Sequence, residues 1–100
     1  SVKSVLIMIA PSICIPRITD KSMTKDKIYK VFNKYNWGPI SRIDLVNKNN
    51  NIRAFIHFKY WFDNKQNEQL KNKIFGGQCI NIIYSRPWFW KCSLSKIPKP

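Results

Sequence analysis

The sequence predicts an α+β fold, a four-stranded antiparallel sheet with two helices on one of its faces. Three observations predict it. Ile28, Val31, Phe32 and Tyr35 recur at the spacing of a single helical stripe. The stretch 51–58 alternates strictly, with Ile52, Ala54, Ile56 and Phe58 on one side and Arg53, Phe55 and His57 on the other. Around these two segments, apolar runs and turn residues fall in the order strand, helix, strand, strand, helix, strand.

Ile13-Cys14-Ile15-Pro16-Arg17-Ile18 is the best first strand, because it leaves only Thr19 to Met23 before the helix. Starting instead from the apolar run Val5–Ile9 would need a long structureless loop. Thr24 is the expected N-cap of the first helix, and Asp26 in its first turn suits the positive end of the helix dipole. Asn36-Trp37-Gly38-Pro39 ends it. Ile43 and Leu45, alternating with Arg42 and Asp44, give a second strand, and Asn49-Asn50-Asn51 a turn into the third. Asp63 is the expected cap of a second helix reaching about Phe75, with Leu70 and Ile74 as a weak stripe and Gly76-Gly77 as its stop. A last strand runs from Cys79 to Tyr84. The order is the ferredoxin-like βαββαβ plan. It occupies residues 12–85, with an N-terminal extension at 1–11 that could hold an extra strand and an aromatic, basic C-terminal extension at 86–100.

One hundred residues suffice for one two-layer core, and an apolar fraction of 44% argues for a packed domain rather than a basic tail. The formal net charge of +13 is spread over both halves and implies a polyanionic partner: RNA, DNA or an acidic protein surface. Cys14, Cys79 and Cys92 form no C-x-x-C pair, so neither a zinc site nor a disulfide framework is expected, and reduced thiols suit an intracellular protein. No apolar run is long enough for a membrane helix. Neither a metal nor a cofactor is expected.

The octapeptide Asn51-Ile52-Arg53-Ala54-Phe55-Ile56-His57-Phe58 resembles the third-strand signature of the RNA-recognition motif, matching it at Ala54, Phe55, Ile56 and Phe58. Ile13, Ile15 and Ile18 fit the family's first-strand hexapeptide, with Cys14 where an aromatic belongs and Arg17 where Asn belongs. Trp37-Gly38-Pro39-Ile40 is similar to the family's turn into the second strand. The resemblance covers about Ser12 to Tyr84 and implies bases stacking on the helix-free sheet face. Of the family's three stacking positions only Phe55 is aromatic. Arg53 can substitute in part, since a guanidinium lies flat on a base while pairing with phosphate. The composition and the ending Arg86-Pro87-Trp88-Phe89-Trp90-Lys91-Cys92 also resemble short proteins of giant DNA viruses of amoebae. That likeness implies a host-cytoplasmic or virus-factory location.

The leading expectation is therefore a module for single-stranded RNA or DNA, driven by charge, with a degenerate stacking face. Its candidate residues are Arg53, Phe55, His57, Arg17, Arg42, Arg86, Trp88, Trp90 and Lys91. Lys25, Lys27, Lys30 and Lys34 line the solvent side of the first helix. A second expectation is a protein-interaction module, or a homodimer formed through Val2–Ile9 or Trp88–Trp90. Enzymatic function is not expected. The single histidine has no neighbouring acid in the sequence, the five carboxylates show no paired spacing, and the glycine loop of the acylphosphatases, which share the fold plan, is missing.

Overall fold

Apolar side chains at every second strand position and every third or fourth helix position must meet in a common layer. In the computed structural model, which describes residues 11–95, they do. The elements run β1 (Ile13–Ile18), α1 (Lys25–Tyr35), β2 (Ile40–Lys48), β3 (Asn51–Phe58), α2 (Lys65–Phe75), β4 (Ile80–Ser85) and β5 (Trp88–Leu94). The expected two-layer α+β architecture is present. The run Val5–Ile9 and residues 96–100 lie outside the described residues.

Thr24 caps α1 as expected, its Oγ1 accepting from the Lys27 N–H at 3.2 Å, and Asn36 closes the helix in the left-handed region at φ 54°. α2 begins one residue later than expected. Asn64 rather than Asp63 is its cap, with Oδ1 accepting from the Asn67 N–H at 2.8 Å. Both residue types can cap, so the sequence leaves the choice between these neighbours open.

The sheet holds five strands rather than four, in the order β2-β3-β1-β5-β4. The added strand is the aromatic segment beyond the last expected one. It runs antiparallel beside β1, pairing Ile13 with Leu94 and Cys14 with Ser93, and forms a hairpin with β4 that pairs Ile80 with Cys92 and Ile82 with Trp90. It therefore lies between the first strand and Ile80–Ser85, which becomes an edge. Alternation explains the fit: Trp90 and Cys92 turn into the core, while Phe89 and Lys91 turn to the opposite face.

Ile13, Ile15, Ile18, Ile43, Ile52, Ala54, Ile56, Phe58, Ile80, Ile82, Trp90 and Cys92 form the sheet's contribution to the core. Ile28 and Phe32 of α1 and Ile74 of α2 close over them. At one end, Trp37 and Trp61 pack with ring centroids 5.0 Å apart, and Phe32 and Phe58 meet them edge-on. Gly38 makes this closure feasible, since a Cβ there would run into the Tyr60 carbonyl. The buried Asn67 amide locks the same corner, donating to the Trp37 carbonyl at 2.9 Å and the Phe62 carbonyl at 2.8 Å. Among the described residues no helix is long and apolar enough to cross a membrane.

Candidate functional site

With both helices on one side, the opposite sheet face carries the residues that alternate away from the core. Register aligns Asp44 of β2, Phe55 of β3, Cys14 of β1 and Ser93 of β5 in one row across it. Val46 and Arg53 form the next row toward the β2–β3 turn, and Arg42 faces His57 on the other side.

The expected ring surface at the centre of this face is not presented. Phe55 is only 7% exposed and His57 only 2%. His57 is held by both nitrogens: Ser12 Oγ lies 2.8 Å from Nδ1, and Asp44 Oδ2 lies 3.4 Å from Nε2. The arrangement is consistent if Nε2 carries the proton toward the carboxylate and Nδ1 accepts from the serine hydroxyl. Asp44 in turn accepts from Arg42 Nε at 2.6 Å, so Arg42 is bound to an acid as well as exposed. The sequence reading found no acid near the histidine because Asp44 lies on the neighbouring strand. Ser, His and Asp in sequence invite comparison with a nucleophile relay. Here Ser12 and His57 are both buried, and their contact satisfies polar groups in the interior.

Cys14 occupies the position where the family has a stacking aromatic. It is half-buried, and desolvation pushes its thiol's ionisation up, opposed by the charge of Arg53. Arg53 is itself partly buried, and its Nε–H is enclosed without a hydrogen-bond partner.

Three cations meet instead at one end of the sheet. Arg17 leaves β1 beside the β2–β3 turn, where Asn49 and Asn50 adopt left-handed backbones at φ 51° and 64°, the geometry of a two-residue hairpin turn that asparagine tolerates. Lys48, at the start of the turn, lines a recess of about 150 Å³ with Arg17, Arg53, Pro16, Asn49 and Asn51. A second recess on the other side of the turn shares Lys48 and Asn49 and adds Lys21. Arg17 and Arg53 were anticipated; Lys48, Asn49 and Asn51 were missed. The available signal was a lysine directly before an asparagine-rich turn.

The β4–β5 hairpin supplies exposed aromatic surface. Phe89, 49% exposed, pairs with Ile83 on the helix-free face, and Lys91 pairs with Asn81 beside them. Trp88 is 64% exposed, and Arg86 and Lys91 are exposed too. Trp90 does not join them. It points to the core side and stacks on Tyr84 with centroids 4.5 Å apart and planes 19° apart. Phe89, rather than Trp90, is thus the ring of this segment on the helix-free face. Lys25, Lys27, Lys30 and Lys34 are exposed on α1, and Lys34 lines a recess with Ile83, Tyr84 and Arg86 of the hairpin.

Two helices backing an antiparallel sheet, with two arginines and a lysine lining a recess at one end of that sheet, define a small sheet-based recognition module. The chain belongs to the RNA recognition motif family, whose sequence pattern matches residues 19–81. β1 and β5 lie outside the matched stretch. The chain matches no curated protein and no solved structure.

Proposed function

We propose that this protein binds single-stranded nucleic acid, RNA foremost, chiefly through phosphate contacts. The observation that carries the reading is family membership over 19–81 combined with the recess of Arg17, Lys48 and Arg53, whose lining contains no carboxylate. The strand's backbone runs from that recess toward the β4–β5 hairpin, where Phe89 offers a face for a base and Lys91 and Arg86 meet further phosphates. With Phe55 and His57 enclosed, base recognition is modest, and counterion release supplies most of the affinity. Nothing in this reading requires a cofactor, a metal or a catalytic group.

The test is a titration of labelled single-stranded RNA at increasing salt. About four neutralised phosphates give a slope of log affinity against log salt near −3. Absence of binding at low salt, or affinity indifferent to salt, removes the proposal. Single-stranded DNA of the same sequence, run in parallel, reports whether the 2′-hydroxyl is read.

One observation favours a second reading. Trp88, Phe89 and Ile83 together expose more apolar surface than single scattered residues do, which would suit self-association through the hairpin. Light scattering at high protein concentration separates the two, since a monomer there eliminates the dimer.

A further inference from the structure

We infer that the recess between β1 and the β2–β3 turn is a subsite for a terminal phosphate monoester, the phosphorylated end of a single strand. The inference rests on the nucleic-acid reading and narrows it.

Size comes first. About 150 Å³ accommodates a phosphate group with a water or two. Charge comes second. Arg17, Lys48 and Arg53 bring three positive charges to this one small space, and Pro16, Asn49 and Asn51 complete the lining without a carboxylate. An internal phosphodiester offers a single negative charge, whereas a terminal monoester carries about −1.5 to −2 and three acceptor oxygens. The site is better matched to the latter. The acid nearest Arg17 in the chain, Asp20 three residues on, is occupied locally, accepting from Ser22 N–H at 2.9 Å and Ser22 Oγ at 2.6 Å.

Unmet hydrogen-bonding demand comes third. Arg53 lines the recess, and its Nε–H is buried without a partner. A buried donor left unpaired is uncommon, and because this one has almost no accessible surface, an acceptor in the recess would meet it only if the guanidinium turned outward. A planar guanidinium presents its donors in a fork that suits two oxygens of one phosphate. Finally, the recess sits at the end of the sheet, where the hairpin turn bounds it on one side. A strand that begins or ends there can still lie along the sheet toward the outer hairpin.

The experiment uses the full chain and one oligoribonucleotide in three forms: 5′-phosphorylated, 3′-phosphorylated, and with hydroxyls at both ends. Affinities are compared at fixed ionic strength. One phosphorylated form should bind about ten-fold tighter than the hydroxyl form, as expected for a few charge-assisted hydrogen bonds, and which one does so gives the strand's polarity. Arg53→Gln and Arg17→Gln should each reduce that ratio to within about two-fold of unity. Should Arg53→Gln disturb folding, Lys48→Gln on the exposed turn must give the same loss. Equal affinity of all three strands, or a phosphate preference that survives these substitutions, overturns the inference while leaving nucleic-acid binding intact. Failure of every strand to bind at low salt instead brings down the reading on which it rests.

Discussion

Leu94 lies directly opposite Ile13 on neighbouring antiparallel strands, so the last described strand closes against the first. Through this pairing β5 takes the place beside β1, and Ile80–Ser85 hangs on β5 instead. Removing β5 would strip Trp90 and Cys92 from the core and leave both β1 and β4 without a partner on that side. A chain ending at Ser85 should therefore lose cooperative unfolding, seen by circular dichroism in urea. A truncated chain that melts like the intact one would show that β5 is an accessory.

The two phenylalanines on the helix-free face should separate cleanly. Phe89→Ala should weaken RNA binding by about 1–3 kcal/mol, the size of one base stack, with little change in urea midpoint. Phe55→Ala should lower stability by up to about 3–5 kcal/mol, because its ring is enclosed. Binding titrations and urea melts on both variants check this, and the reverse pattern would restore Phe55 as the platform.

His57 depends on its serine. Ser12→Ala leaves Nδ1 without its 2.8 Å partner in a buried setting and should cost about 1–3 kcal/mol of unfolding free energy. Arg42→Ala, at the exposed end of the same chain of contacts, should cost under about 1 kcal/mol. Equal costs would mean that the buried serine–histidine contact has no special weight.

Burial pushes the Cys92 thiol up from its model-peptide value of 9.0, with the nearby Cys14 and Cys79 thiols adding to the shift. The thiol in the unfolded chain ionises first as pH rises. Below that point both states hold the proton and stability is complete; above it only the unfolded state gains, so stability falls, at about 1.4 kcal/mol per pH unit for one thiol. Urea midpoints should thus decline above about pH 9, and Cys92→Ala should flatten that decline while lowering the plateau. In the native state Cys79, which is exposed, should react with a thiol reagent well before Cys92 does.

Most of the fold could be read from local patterns. The stripe Ile28, Val31, Phe32 and Tyr35 admits one helical face, and the period-two alternation of 51–58 admits one strand orientation. Thr24 announced its cap for the same local reason. Trp61 was harder: it lies in a loop with no period, and only the joint arrangement with Trp37 and Phe58 explains why it is buried. The recess was half legible. Arg17 and Arg53 stood out as charges in strands, whereas Lys48, Asn49 and Asn51 acquire a shared purpose only when the turn brings them beside β1.

The sequence by itself determined the types of the first six elements, the inward-facing side of their strands and the strong positive charge. These follow from side-chain periodicity and composition, which act over a few residues or over the whole chain at once. Tertiary structure alone decided that an aromatic tail would become a strand inside the sheet, that Phe55 and His57 would be enclosed, and that Asp44 would reach the histidine. Each of these depends on which strands lie side by side, and that is settled by pairing between segments far apart in the chain, where no local pattern records the partner.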